Sequence, residues 1–205
     1  MDTISKLAEL FKDFPGIGQR QSKRFVYYLL SRNNGYLENL SKLIVELKRE
    51  IKNCSSCFRF FKIDKVKSSI CPICRDDSRD SLLLMIVARD VDLEAIEKSH
   101  SYNGFYFVLG GTVPILEKDP QSKVRVSELL DIVKKRSAAG LKEIILATSL
   151  NPEGENTADF VTNLLTSLVR EFNLKISILG RGLSTGTELE YSDSDTIKNA
   201  LKNRS

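Results

Sequence analysis

The sequence lacks the features that mark membrane and secreted proteins. No apolar run approaches the length of a membrane span, and the start, MDTISKLAELF, lacks the charged-then-apolar order of a signal peptide. No internal repeat or low-complexity tract is present. With 41% apolar and 28% charged residues, the 205-residue chain has the composition of a globular protein of one to three domains. We therefore expect a cytoplasmic location and no membrane association.

Histidine is also scarce, which narrows the possible metal sites and acid–base catalysts. The one histidine, His100, follows an acidic predicted helix and has no cysteine or second histidine nearby in the sequence. A histidine that binds metal or transfers protons needs such partners. We therefore expect His100 to lie on the surface and to be neither a ligand nor a base.

Cysteine is confined to one short stretch, where two C-x-x-C pairs are separated by thirteen residues. The four are Cys54, Cys57, Cys71 and Cys74. Two such turns complete the tetrahedral sulfur set that a structural Zn²⁺ prefers, so the spacing predicts one zinc ion per chain. Two disulfides are the alternative, but the absence of a secretory signal favours a reducing compartment. A finger this small lacks core area, so loss of the ion should unfold the finger and leave the rest folded.

Positive charge is concentrated in the N-terminal part of the chain. Residues 1–79 contain 16 lysines and arginines against 9 acids, whereas residues 80–205 contain 15 against 18. This asymmetry favours a polyanionic partner for the N-terminal part, although a solvated basic face would give the same counts.

The first 31 residues are typical of two helices joined by a tight hairpin. Apolar residues at helical spacing predict a helix over residues 3–13, and a second helix follows over about 19–31. Between them, P-G-I-G breaks the helical pattern. This is the pattern of the helix-hairpin-helix motif of proteins that bind DNA without reading its sequence.

The chemistry of this hairpin suits phosphate. Gly16 and Gly18 have no side chains to keep a phosphate from the backbone, and the second helix presents free N–H groups and a partial positive charge at its start. Arg20, Lys23 and Arg24 follow within the first turns of that helix. We expect these five residues to bind DNA; a plain helix corner with exposed cations is the alternative.

A third helix is predicted over about 37–51 and leads directly to the first cysteine. Its predicted buried side carries Leu40, Leu43, Ile44 and Leu47. Between the cysteine pairs, FRFFKIDKVKSSI interleaves aromatic and basic residues. These aromatic rings either stack on bases or form the core of a small finger.

From Leu82 onward, predicted strands alternate with helices. The run LLLMIVA is typical of a strand buried on both faces, and further strands are predicted at 105–109, 143–148 and 175–180. Helices are predicted between these strands, among them VSELLDIVKKRSA (126–138) and NTADFVTNLLTSLVREF (156–172). Alternation at this spacing predicts right-handed βαβ crossovers and a parallel α/β domain. A loop, RGLSTGTELEY, and a short helix from about Asp195 to Lys202 follow. The loop lacks the G-K-[ST] ending of a nucleotide-binding P-loop, so we expect an interaction loop.

Several motifs in this order resemble those of the RecR family of bacterial recombination mediators. They are FPGIGQRQSKRF, CPICRDDSRD, AIE at 95–97, YFVLGG, ILATSLNPEGENTADF and RGLSTGTELEYSDSDTI, collinear over nearly the whole chain. The resemblance implies an α/β fold in four parts. These are a helix-hairpin-helix DNA-binding region at 1–53, a C4 zinc finger at 54–79, a Toprim-like parallel α/β domain at 80–175, and a C-terminal strand, loop and helix at 176–205.

The resemblance also implies a function. RecR proteins are non-catalytic mediators in DNA repair that bind DNA and act with RecO or RecF to help RecA load on gapped or single-stranded DNA. The family's DNA-binding hairpin matches Gly16, Gly18, Arg20 and Arg24, and its zinc ligands match the four cysteines. Its acidic loop after the third Toprim strand, a partner-binding loop, matches Glu153, Gly154 and Glu155.

RecR-like chains form rings, so the resemblance implies a homo-oligomer, from a dimer to a tetrameric ring. Apolar stripes on the first and last helices are the candidate contacts, although each stripe could instead pack within its own subunit. The stripes contain Ile4, Leu7, Leu10 and Phe11 on the first helix, and Ile197 and Leu201 on the last.

Three segments depart from the family pattern, and one of them is the stretch between the cysteine pairs, which is longer than the common form of the family. The family usually has a glutamate at the end of the first Toprim strand, where this chain has Ala88, and the loop TVPILEKDPQSK (112–123) is altered. A Toprim-type metal-dependent nuclease or primase-like enzyme is the alternative function. That chemistry needs several carboxylates around Mg²⁺, and Ala88 removes one of them. We therefore expect no enzymatic activity.

Overall fold

The computed structural model describes residues 1–63, 68–180 and 196–197. The chain divides into two compact units, Met1–Lys52 and a second that begins at Asn53. The predicted loop at 181–191 lies outside the described residues, as does the predicted helix at 195–202 apart from Thr196 and Ile197.

The first unit consists of helices α1 (Thr3–Lys12), α2 (Gln19–Leu30) and α3 (Asn34–Glu50). The α1 and α2 helices form the predicted pair, with Ala8 and Val26 buried. Phe11 meets Phe25 edge to face, with ring centroids 5.7 Å apart. The N-terminal half of the chain therefore contains the helix, hairpin and helix that the sequence pattern predicts.

The prediction that one side of α3 is buried is wrong for the single chain. Leu43, Ile44 and Leu47 are 52%, 57% and 60% exposed, and no residue of α3 is buried. Helical periodicity identifies an apolar face, but it does not identify what covers that face. The helix also begins earlier than predicted, because the Asn33 side chain caps it by accepting the Tyr36 N–H at 2.9 Å.

The remaining elements build a finger and a sheet-based domain. They are β1 (Ile51–Asn53), β2 (Phe60–Lys62), α4 (Pro72–Arg75), β3 (Asp80–Val87), α5 (Asp90–Ser99), β4 (Gly104–Val108), α6 (Val126–Ala138), β5 (Glu143–Ala147), α7 (Pro152–Phe172) and β6 (Lys175–Ile178). The β1 and β2 strands form a two-stranded sheet, and the boundary between the two units falls inside β1.

The four longer strands form a parallel sheet in the order β4-β3-β5-β6, which confirms the predicted parallel α/β domain. Leu84 to Val87 of β3 are buried, as the apolar run predicts. One face of the sheet packs with residues of α6 and α7, and the other packs around Leu93 of α5. The predicted division between residues 175 and 176 falls inside β6, whose described length pairs with β5.

The α7 helix begins at Pro152, four residues before the predicted start at Asn156. The Asn151 side chain accepts the Gly154 N–H at 2.8 Å, and a proline at the first helical position needs no hydrogen-bond partner. At the end of α5, His100 is exposed and has a left-handed backbone, in agreement with the predicted surface position.

Candidate metal centre and nucleic-acid interface

The four cysteines form one cluster whose sulfur atoms all lie within 4.8 Å of one another. Cys54, Cys57 and Cys71 are buried and Cys74 is half-buried. The Cys57 and Cys71 sulfurs are 3.6 Å apart, so they are not joined in a disulfide. The Cys71 backbone N–H donates to the Cys54 sulfur at 3.3 Å, as the second turn folds over the first.

The donor chemistry of this cluster fits a metal ion. Hydrogen bonds from the other three sulfurs lower the pKa of Cys54, whereas hydrogen bonding to Cys54 and burial raise the pKa of Cys57. Four thiols this close can share protons, but only a cation lets all four become thiolates. The four cysteines could therefore hold one ion in a closed tetrahedral set, whose role would be structural because no position is left for a substrate.

The cysteine finger lies against the edge strand of the parallel sheet. The Val108 N–H at the end of β4 donates to the Cys57 carbonyl oxygen at 2.9 Å. Phe58, with a φ of 61°, places its ring 5.5 Å from that of Phe107. The Phe60 N–H donates to the Asp90 carboxylate at 2.7 Å, at the start of α5. The backbone of the finger is thus hydrogen-bonded to the α/β domain.

Of the finger's aromatic side chains, Phe61 is buried with the cysteines, whereas Phe60 is exposed. The prediction that these rings form the finger's core therefore applies to Phe61. Phe58 belongs with the packing of the α/β domain, where its ring also lies 5.6 Å from the Arg125 guanidinium.

A second link follows the second cysteine pair. Arg79 makes two parallel hydrogen bonds to Glu97 of α5, at 3.0 and 2.5 Å, and a third to the Gly104 carbonyl oxygen at 2.9 Å. The Tyr106 hydroxyl donates to the same carboxylate at 2.7 Å. Arg79 and Glu97 lie in motifs that carry the family resemblance, but the sequence analysis assigns them no role. No spacing rule predicts an ion pair between residues 18 positions apart. The only signal in the sequence is that an arginine and a glutamate each lie in one of these motifs.

The predicted DNA-binding hairpin has the geometry that its sequence requires. Gly16 has a φ of +74°, which favours glycine, and Gly18 is the N-cap of α2 in an extended conformation. A glycine N-cap offers no side-chain acceptor. Within the described residues, the N–H groups of residues 19–21 therefore have no partner, because the first helical bond runs from the Ser22 N–H to Gly18.

Three cations surround this open helix start. Arg20, Lys23 and Arg24 are all exposed, and Arg24 donates to the Gln21 side chain at 3.3 Å. No acidic side chain occupies the first turn of α2. The five predicted DNA-binding residues thus lie together, around backbone N–H groups that are available to an anion.

The residues predicted as an acidic loop lie in the first turn of α7. Glu153 accepts a hydrogen bond from the Thr112 hydroxyl, and Gly154 is buried, whereas Glu155 is exposed. A Cβ atom on Gly154 would lie 2.0 Å from the Ser149 carbonyl oxygen. The predicted loop is therefore wrong for these acids, because Asn151 and Pro152 start the helix before them.

The carboxyl ends of β3 and β5 enclose a small cavity of about 100 Å³. Strand order changes direction between these two strands, and such switch points are common ligand sites in parallel sheets. Its lining includes Ala88, Arg89 and two acids, Asp92 and Glu153. Asp92 accepts the Arg89 N–H at 2.9 Å. In the described part of the chain, the cysteine cluster is the one place where three or more potential metal ligands converge.

Two family models match the second unit of the chain. The Toprim domain family model matches residues 83–180, and the model described as RecR, C-terminal matches residues 182–205. Recombination protein RecR of Limosilactobacillus reuteri (strain DSM 20016) is 34% identical over 204 residues, which is 99% of this chain and 96% of that protein. The chain belongs to the RecR family.

Two further RecR proteins are similar over the same extent. Those of Lacticaseibacillus casei (strain BL23) and Ligilactobacillus salivarius (strain UCC118) are 32% and 30% identical over 203 residues, with 99% of this chain and 96% of each relative covered. RecR membership confirms the predicted resemblance and the Toprim-like fold, and it assigns the chain to DNA recombination and repair. The relatives' names agree with the prediction of a protein that is not an enzyme.

None of the helices in the described part of the chain combines the length and apolarity needed to cross a bilayer.

Proposed function

We propose that this RecR-family chain is a non-catalytic mediator that binds DNA without reading its sequence. The open start of α2 carries the proposal, because unpartnered N–H groups and exposed cations face the same region. Family resemblance adds that the chain acts in the cytoplasm with RecO or RecF, or with both, to promote RecA loading at gapped or single-stranded DNA.

Zinc is the ion that we propose for the four-cysteine cluster, with one ion per chain. Four thiolates in two C-x-x-C turns are the donor set of structural zinc sites, and soft sulfur ligands disfavour Mg²⁺ and Ca²⁺. Metal analysis of the purified protein should find one equivalent of zinc.

The first turn of α7 is the proposed contact with the mediator partner. Glu153 is half-buried and Gly154 is buried, whereas Glu155 is exposed, so the accessible surface of this group lies at Glu155. Asp159 is one turn further along the helix and is also exposed. An acidic surface of this kind suits a basic partner.

Self-association is proposed for the first unit. Its α3 helix leaves four large apolar residues more than half exposed, and Leu10 of α1 is exposed as well. Contiguous apolar surface on a small unit is typical of protein interfaces. This arrangement supports a homo-oligomer, from a dimer to a tetrameric ring.

A metal-dependent nuclease or primase is disfavoured by the cavity at the ends of β3 and β5. Two carboxylates line it, each already accepts a hydrogen bond, and Ala88 stands where the family usually has a third acid. Two-metal phosphoryl transfer needs a denser carboxylate cluster.

The DNA-binding proposal is tested by Arg20→Ala/Arg24→Ala. If these arginines neutralise phosphates, the double variant should bind duplexes of all sequences more weakly. The slope of log K against log salt should fall by roughly 0.9 for each lost contact on each engaged subunit. Fluorescence anisotropy of a labelled duplex at several salt concentrations measures both quantities.

A matched control removes two cations elsewhere in the same unit. Lys42→Ala/Lys48→Ala changes the net charge equally, but it alters α3 at positions away from the hairpin. We expect this variant to keep the wild-type slope. Equal effects of the two double variants would mean that general charge, and not the hairpin, attracts DNA.

A further inference from the structure

A cluster of aromatic and basic side chains lies where α2 passes into α3. The Arg32 guanidinium is 4.1 Å from the centre of the Tyr28 ring and 5.9 Å from that of Tyr36. The two rings meet edge to face with centroids 6.4 Å apart. We call Tyr28, Arg32 and Tyr36 the tyrosine–arginine cluster.

The backbone fixes this cluster in place. Tyr28 lies in the last turns of α2 and Tyr36 in the first turn of α3, and both positions belong to the first unit. The Asn33 cap accepts the Tyr36 N–H, so the start of α3 is held at a defined position. The rings are thus presented by helix termini and not by a long loop.

Packing accounts for only part of the cluster. Tyr28 is 45% exposed and Tyr36 is 42% exposed, while Arg32 is exposed as well. A corner that served only to join two helices would bury its rings, because exposed aromatic area contributes nothing to the hydrophobic effect. The cluster instead leaves polarised ring surface and a planar cation facing water.

The cluster continues the basic face of the hairpin helix. Arg20, Arg24 and Tyr28 recur every four residues along α2, so they share one face of the helix. Tyr27, 59% exposed, lies beside them. The rise from Arg20 to Tyr28 is about 12 Å, which three to four stacked nucleotides would span at about 3.4 Å each.

We propose that the tyrosine–arginine cluster is a base-stacking platform for single-stranded nucleic acid. Phosphates of an unpaired strand would lie along Arg20 and Arg24, and its bases would stack on the exposed faces of Tyr28, Tyr36 and the Arg32 guanidinium. Aromatic rings accept any base, because every base has a π-face. Bases paired in a duplex are not available for such stacking. The platform rests on the proposed DNA-binding function and adds a preference for unpaired strands.

The test compares two double variants in the full-length chain. Tyr28→Leu/Tyr36→Leu keeps apolar bulk but removes the rings, whereas Tyr28→Phe/Tyr36→Phe keeps the rings and removes the hydroxyls. Anisotropy titrations use labelled oligothymidylate and a duplex of the same length. The leucine variant should bind the single strand about tenfold more weakly for each base whose stacking is lost. Its duplex affinity should change less than about twofold, and the phenylalanine variant should match wild type on both probes.

Tyrosine fluorescence gives an independent readout, because the chain contains no tryptophan to mask it. Oligothymidylate should quench the tyrosine emission of the wild-type protein, and the leucine variant should lose a large part of that quenching. Circular dichroism and light scattering on the same samples report the helix content and the oligomeric state.

Several outcomes would overturn the platform. Unchanged single-strand affinity of the leucine variant would do so, as would an equal loss on single strand and duplex. A change of oligomeric state without a selective loss on single strands would identify the cluster as a protein interface. If the leucine variant loses single strands selectively while Arg20→Ala/Arg24→Ala binds normally, the platform stands and the proposed hairpin site fails.

Discussion

Among single residues, Arg79 and Glu97 carry the ion pair that links the second cysteine pair to α5. Burial by itself raises the pKa of Glu97, but hydrogen bonds from Arg79 and Tyr106 outweigh it and hold the pKa below its ordinary value. Because the folded pKa is depressed, the pair's stabilisation is present above the pKa of an unfolded glutamate and is lost as pH falls through the folded value.

Glu97→Gln should therefore lower the free energy of unfolding by about 2 to 4 kcal/mol at neutral pH, since it leaves a mostly buried arginine without its charge partner. The deficit relative to wild type should shrink as the pH falls below the ordinary glutamate pKa. Urea unfolding at a series of pH values measures it. Glu94→Gln, at an exposed position on the same helix, is the control and should be neutral. A constant deficit at every pH would contradict the assigned charge pairing.

Gly154 is a second position where a single added atom, a Cβ, should lower the stability of the fold. Gly154→Ala would place a methyl group against the Ser149 carbonyl oxygen, so the start of α7 must shift. We expect a loss of about 1 to 3 kcal/mol in thermal or urea unfolding. Gly35→Ala is the matched helical control, because its added Cβ would meet only the Asn33 side chain at 3.6 Å. Normal stability in Gly154→Ala together with lost partner binding would point to a purely functional glycine.

Among the elements, the finger differs most from the behaviour that the sequence predicts. Its sequence suggests a small unit that unfolds alone, but the Cys57 carbonyl oxygen and the Phe60 N–H are hydrogen-bonded to the α/β domain. Cys71→Ser should therefore release the ion and also destabilise the α/β domain by at least about 2 kcal/mol, through the lost hydrogen bonds and Phe58 packing.

Calorimetry and hydrogen exchange together test this coupling. The Val108 amide should exchange faster in Cys71→Ser, because its acceptor is the Cys57 carbonyl oxygen. Asp77→Ser, an exposed change in the same finger, should keep the ion and the wild-type exchange rate. A metal-free Cys71→Ser protein with normal melting and a protected Val108 amide would restore the picture of an independent finger.

How far the sequence predicts each element depends on whether the cause is local. The α6 helix has the predicted bounds, and the run around Leu84 gives the buried strand, because periodicity is a local signal. The cap at Asn151 is also a local signal, and it starts α7 before the acids that the family resemblance assigns to a loop. The pairing of Arg79 with Glu97 and of Thr112 with Glu153 depends on tertiary contacts that no spacing rule contains.

For the molecule as a whole, the exposed apolar face of α3 predicts an oligomer. Ile44→Glu adds a charge in the middle of that face without disturbing a buried site, so it should dissociate the oligomer and keep the helical content. DNA affinity should fall with it, because linked subunits bind one strand with higher avidity. Light scattering and anisotropy measure the two effects.

Arg49→Gln is the charge-matched control on the opposite, polar side of α3, where the loss of one positive charge should leave assembly unchanged. A wild-type protein that remains monomeric at high concentration, with undiminished DNA binding, would leave the α3 face without a self-association role.

The contacts of Val108 carry a consequence for solubility. As the last residue of an outermost strand, Val108 could template pairing with a strand from another molecule. Here its N–H is taken by Cys57 and its carbonyl oxygen by the Arg125 guanidinium at 2.8 Å. Chelators or thiol oxidation would unfold the finger and free the Val108 N–H, which is one of these two groups. We therefore expect the metal-depleted protein to aggregate more readily than the metal-loaded one.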